Sequence, residues 1–161
     1  MSTTEITATP GQPLVTITRE FDAPRELLFR AYTDPELLVQ WLGPRRLEMT
    51  VERHEARDGG TYRYIHRGED GVAHAFRGVF HGTPTPERGI VQTFEYEGAP
   101  GQVSLETAVF EERDGRTTVR VSSVFQSVAA RDAHVESGME VGVRDSMDRL
   151  AELLATLAAV R

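Results

Sequence analysis

The sequence contains no cysteine, which excludes disulfides, thiolate chemistry and cysteine-ligated zinc together. It also contains no lysine: all 18 basic side chains are arginine, so Schiff-base catalysis through a lysine is excluded as well. Aromatic residues are few, with one tryptophan, Trp41. No apolar run approaches the roughly 18 residues that a membrane span needs. The first thirteen residues, with Glu5 and two prolines, have neither the basic nor the apolar part of a signal peptide, and we expect a cytoplasmic protein. Basic surface is lacking too. A net charge of −7 argues against nucleic acid as a partner, because phosphate contacts need an assembled basic face.

What is present reads as one domain, since 161 residues are enough to bury a single core. Residues 1–13 are rich in Thr and Pro without periodicity, and we expect a disordered leader followed by one domain over 14–161. Leu14–Phe21 alternates as a first strand. Asp22-Ala-Pro24 starts a short helix with an apolar side of Leu27, Leu28, Ala31 and Tyr32, Asp22 or Ala23 serving as its cap. Thr33-Asp-Pro-Glu36 has the form of a capping box and opens a second, ended by Gly43-Pro44. Six strands follow, at about 47–56, 61–67, 73–83, 90–97, 103–112 and 117–125, joined by turns such as Asp58-Gly-Gly60 and Asp114-Gly115. From Ser127 to Val160 the residues Val135, Met139, Val143, Met147, Leu150, Leu154 and Leu157 recur at helical spacing, which predicts one long amphipathic helix. Gly138 and Gly142 then fall mid-helix, at a cost of about 1 kcal/mol each relative to Ala, and the missing side chains suggest close packing or room for a ligand. The predicted class is α+β: a seven-stranded curved antiparallel sheet wrapped around a carboxy-terminal helix, with two short helices after the first strand.

Several ordered motifs carry a resemblance. Thr33-Asp-Pro-Glu-Leu-Leu-Val-Gln-Trp-Leu-Gly-Pro44, Arg57-Asp-Gly-Gly60, Phe76-Arg-Gly78, Pro86-Glu-Arg88, and Ser137-Gly-Met-Glu-Val-Gly142 leading to Ser146 and Arg149-Leu150 resemble the bacterial branch of activator of Hsp90 ATPase-like proteins. That branch belongs to the START and Bet v 1-like (SRPBCC) superfamily. The resemblance spans nearly everything from Leu14 to Leu157 and implies a helix-grip fold with a cavity between sheet and helix. Leu42 departs from it, since relatives usually show a second tryptophan there, which alters the expected pocket mouth.

Strand alternation places Tyr62, Tyr64 and His66 on one face, Phe76, Gly78 and Phe80 on the next, and Gln92, Phe94 and Tyr96 on the third. With Trp41 and the Met139, Val143, Met147 stripe they form a candidate ligand-binding lining of rings and thioethers, suited to flat apolar molecules. Five histidines, His54, His66, His74, His81 and His134, show no metal-ligand spacing, and we expect neither a metal nor another cofactor. His66 is the inward residue best placed to act as an acid or base. No nucleophile and base, and no carboxylate pair, stand in recognisable order, so no residue is assigned as catalytic. Arg57 and Arg88 flank turns and are expected to make structural hydrogen bonds to loop carbonyls or to Glu55.

Three functions follow. The first is binding of a hydrophobic or aromatic small molecule, lipid, polyketide or polyphenol-like, by a carrier, sensor or sequestering self-resistance protein. The second is a polyketide cyclase or aromatase working by positioning in the same cavity. The third is chaperone interaction, implied only by the resemblance; the eukaryotic relatives use a further amino-terminal domain, for which this chain is expected to have no room. Either a monomer or a homodimer fits the sequence, and no membrane insertion is expected.

Overall fold

The computed structural model describes residues 3–159. In chain order it consists of β1 (Glu5–Thr7), β2 (Leu14–Phe21), α1 (Arg25–Thr33), α2 (Pro35–Leu38), β3 (Glu48–His54), β4 (Thr61–Arg67), β5 (Ala73–Val79), β6 (Ile90–Tyr96), β7 (Val103–Arg113), β8 (Arg116–Val124), α3 (Val128–Glu136) and α4 (Met139–Ala159). The strands form one antiparallel sheet in the order β1-β2-β8-β7-β6-β5-β4-β3, so the expected meander is joined by β2 returning beside β8.

Four expectations are corrected. The sheet has eight strands rather than seven, because Glu5–Thr7, read as part of a loose leader, pairs antiparallel with β2 from Glu5↔Thr18 to Thr7↔Thr16. Arginines on other elements hold this segment: Arg144 donates to Thr4 O at 2.8 Å, and buried Arg131 donates to Thr9 O at 3.0 Å. A three-residue edge strand is too short to show a period, which is why its sequence looks structureless. Met1 and Ser2, the start of the same expected leader, lie outside the described residues.

The predicted single carboxy-terminal helix is two. Ser127 caps α3 as its side chain accepts from Ala130 N–H, but the helix ends at Glu136, with Ser137 as its C-cap and Gly138 at φ +88°. That left-handed conformation is the usual helix stop, and glycine adopts it without a β-carbon penalty. Val160, the expected last residue, is outside the described region. The capping of α2 also differs from the sequence reading. Thr33 belongs to α1 and bonds back to Phe29 O, while Asp34 caps α2 by accepting from Glu36 N–H at 3.0 Å. At α1 the N-cap is Pro24 itself, with no side-chain cap bond.

The core gathers on the inward face of the sheet. Phe21, Leu27, Leu28, Ala31, Phe110, Val119, Leu150, Leu153 and Leu154 belong to one buried cluster, with Leu28, Ala31 and Leu150 fully buried. It joins α1 and the second half of α4 to β2, β7 and β8. Each large aliphatic side chain so buried stabilises the fold by roughly 1.5–3 kcal/mol. Among the described residues no helix is long and apolar enough to cross a membrane.

Candidate functional site

Beside that core, toward the first half of α4, the inward faces do not meet. Alternation on β4 buries Tyr62, Tyr64 and His66 while Arg63 and Arg67 point the other way, where Arg63 pairs with Glu52 and Glu97. The aromatic rows then stack across strands. Tyr64 tilts on Phe76 at 5.6 Å, and Phe76 stacks on Phe94 at 5.2 Å. Gly78 makes this layer possible: a β-carbon there would lie 2.0 Å from Thr93 O and 2.6 Å from the Tyr62 ring. Without it Tyr62 could not lie across β5 and donate its hydroxyl hydrogen to Thr93 O. The bulge between Val51 and Arg53 on β3 shifts its alternation by one residue, so His54 is brought opposite Tyr62 on the inward face.

On the other side, α2 and the loop after it supply Leu38, Trp41 and Leu42. Trp41 is 2% exposed, donates Nε1–H to Ala31 O at 3.0 Å, and meets Tyr32 edge-on at 4.7 Å. The loop is fastened to α4 by Ser146, whose Oγ accepts from Gly43 N–H at 2.7 Å, and by Arg149, which donates to Gly43 O and Gln40 O, both at 3.0 Å. These bonds account for the Gly43-Pro44, Ser146 and Arg149 parts of the sequence motif.

Between the two sides lies a cavity of about 350 Å³. Of the expected lining, Trp41, Tyr62, Tyr64, His66, Phe76, Phe94, Met139, Val143 and Met147 border it. Gly142 borders it as well, and the nearest atom to a β-carbon there is Pro44 Cδ at 3.7 Å, so the helix glycine faces space rather than packed backbone. Two expected members do not reach the cavity. Phe80 is inward but sits at the end of its strand, wedged 5.5 Å from Tyr62 and 5.4 Å from His54 as solid core. Tyr96 lies at the opposite end of β6, half-buried, with its hydroxyl bonded to His74 Nδ1 at 2.8 Å and its ring against Phe76. Alternation fixes which face a side chain takes, not how far along the strand the void extends.

The expected structural roles of the turn arginines divide. Arg57 pairs with Glu55 at 3.4 Å, and Glu55 accepts from both Thr61 N–H and Thr61 Oγ1, bonds that lower its pKa. Arg88 is exposed, and its backbone N–H donates to Thr85 Oγ1, while its side chain makes no hydrogen bond among the described residues.

Besides the expected Gln92 and His66, the cavity contains polar groups that the sequence reading did not assign to it, Glu106, Ser123 and the Tyr32 hydroxyl. Glu106 on β7 pairs in register with Gln92 on β6 and Ser123 on β8, forming a polar row across the sheet that borders the void. Ser123 Oγ donates to Glu106 Oε2 at 3.0 Å. By surface area Glu106 is half-buried, but protein surrounds it and its open side faces the cavity, so burial raises its pKa against the lowering from Ser123 and Gln92. The Tyr32 hydroxyl is buried without a hydrogen-bond partner, and its pKa is raised above the usual phenol range first by burial and then by Glu106. His66, 5% exposed with Nδ1 unpartnered, is pushed down to about 4 by burial, then by Arg149 and His74, so it is a neutral imidazole at pH 7. His54 and His134, also at the cavity, are lowered chiefly by burial. Among the described residues no three His, Asp or Glu side chains gather as metal ligands.

Solved structures share this architecture. A Rhodobacter sphaeroides protein is 27% identical, with 94% of this chain and 99% of that one covered at a TM-score of 0.85. An Arthrobacter aurescens protein is 26% identical, with 94% and 91% covered at a TM-score of 0.86. Protein Ms6760 from Mycobacterium smegmatis is 25% identical, with 93% and 97% covered at a TM-score of 0.81. Among curated proteins, none matches the chain in sequence. The family model described as activator of Hsp90 ATPase homolog 1-like protein matches residues 22–155, a stretch running from the start of α1 almost to the end of α4, and the chain belongs to that family.

Proposed function

We propose that this protein binds a hydrophobic, ring-bearing small molecule between the sheet and the first half of α4, as a carrier, sensor or sequestering protein. The observation that carries the reading is the void of about 350 Å³ walled by Trp41, Tyr64, Phe76, Phe94, Met139 and Met147. A sequence that needed only a core would fill such a space with side chains, because an unfilled wall forfeits dispersion contacts. Filling it with a ligand regains those contacts, and aromatic walls favour planar rings. Turnover of a polyketide-like substrate in the same space is the second reading, favoured by the presence of Glu106 and neutral His66 at the wall.

The sole tryptophan, Trp41, borders the cavity and reports on it directly. Titration with a panel of polyphenols, polyketides and lipids should quench or shift its emission saturably, and the same ligands should raise the melting temperature as binding to the folded state requires. No saturable emission change and no thermal shift with any member of the panel sinks the binding reading. A changed product recovered from a bound polyketide, lost in His66→Ala while binding persists, would replace it with the enzymatic one.

A further inference from the structure

We propose that the molecule taken up carries a basic nitrogen, protonated in water, and that the Glu106 carboxylate receives it. This inference rests on the binding reading and names the chemical class of its ligand. Three features of the site point the same way.

The first is where β7 spends its polar and apolar side chains. Glu106 is turned inward, while its neighbour Leu105 is 44% exposed on the outer face. For folding alone the reverse is better, since an inward carboxyl loses its hydration and an outward leucine gains nothing. The second is the company the carboxyl keeps. Burial raises its pKa, and against that Ser123 Oγ donates to it and the Gln92 amide pairs in register beside it. Donors directed at a carboxyl stabilise its ionised form, which a site meant to hold a neutral acid would not supply. The buried Tyr32 hydroxyl, without a hydrogen-bond partner, stands near the same group.

The third is what the cavity withholds. Although the chain has 18 arginines, none borders the void among the described residues, and its three histidines are pushed toward the neutral form. Fatty acids, phospholipids and other anionic molecules would find one negative group and no positive one. An ammonium finds its counter-ion there, in a wall that carries the rings of Trp41, Tyr62, Tyr64 and Phe76. Burying the pair leaves no uncompensated charge, so the carboxylate that is costly in the empty protein is neutralised in the complex.

Calorimetric titration with three probes on one naphthalene frame tests this: naphthalene-1-methanamine, naphthalene-1-methanol and 1-naphthoic acid, at neutral pH. The amine is expected to bind about tenfold or more tightly than the alcohol, and the acid more weakly than the alcohol. In Glu106→Gln the amine should fall to within about twofold of the alcohol. Alcohol binding equal to or tighter than amine binding, a preference for the acid, or an amine preference that survives in Glu106→Gln overturns the inference and leaves the binding reading standing. No binding of any of the three, by heat or by Trp41 emission, overturns the inference, and the binding reading then falls only if the panel titration is also silent. The ranking is read on the wild-type chain, so the test holds even if the variant folds poorly.

Discussion

The two halves of α4 present the same stripe to opposite surroundings. From Leu150 onward, Leu150, Leu153 and Leu154 are at most 8% exposed and belong to the cluster that includes Leu27, Leu28, Ala31 and Phe110. Over the first two turns, Met139, Gly142, Val143 and Ser146 border a void. The helical period is unbroken across both halves, so periodicity reports the direction of a face and says nothing about whether matter or space lies opposite it. Volume decides that, and here it changes where the sheet's inward residues change from Phe21, Phe110 and Val119 to the ring rows of β4, β5 and β6.

The largest test of this contrast compares truncations in the two halves. Leu150→Ala should cost about 3–4 kcal/mol in urea unfolding of the ligand-free protein, the usual penalty for a cavity in a close-packed site. Val143→Ala removes atoms that already face space and should cost about 1 kcal/mol or less. Equal costs would mean that the first half is packed as tightly as the second, and the void would lose its meaning.

Much of this was legible in the chain. Tyr62, Tyr64 and His66 alternate with charged or outward residues, and the strand period carried them to the cavity wall, as the helical spacing did Met139, Val143 and Met147. Glu106 was not legible, for a physical reason. Leu105 and Val109 flank it on β7 and make the outward face look like the apolar one, so simple alternation reads this strand inside out. Ser104 and Phe110, both buried, are the in-phase residues that mark the true inward face. The break at Gly138 was missed because apolar spacing continues past it, whereas a Ser-Gly pair after a helical run is itself a stop signal.

The two glycines of the helical region sharpen the comparison further, because neither has crowded surroundings and they should nevertheless respond with opposite signs. At Gly138 nothing lies within 4 Å of an added β-carbon, but φ is +88°, so Gly138→Ala should destabilise by about 1–2 kcal/mol through backbone strain. Gly142 is in helical geometry inside α4 with only Pro44 Cδ at 3.7 Å, so Gly142→Ala should stabilise by up to about 1 kcal/mol. Gly142→Leu should keep that fold while occupying the cavity, abolishing the Trp41 emission response to ligand. Retention of the full response would place the bound molecule elsewhere.

The smallest effect concerns Glu106, the carboxyl that borders the cavity. Burial raises the Glu106 pKa, so the folded chain holds this proton more tightly than the unfolded chain does, and stability falls as pH rises above the ordinary carboxyl range. His54, His66 and His134 act oppositely: their lowered pKa values make stability fall as pH drops from about 6.5, for His66 down to about 4. The raw pH profile therefore mixes two trends, and the difference between wild type and Glu106→Gln separates them. The variant's advantage in melting temperature should widen as pH rises above the ordinary carboxyl range, since Gln loses no proton. A difference that stays flat would mean that Glu106 ionises as easily inside the fold as outside it. With a saturating amine probe at neutral pH the advantage should shrink or reverse, because only the carboxylate gains a counter-ion; with the alcohol it should not move.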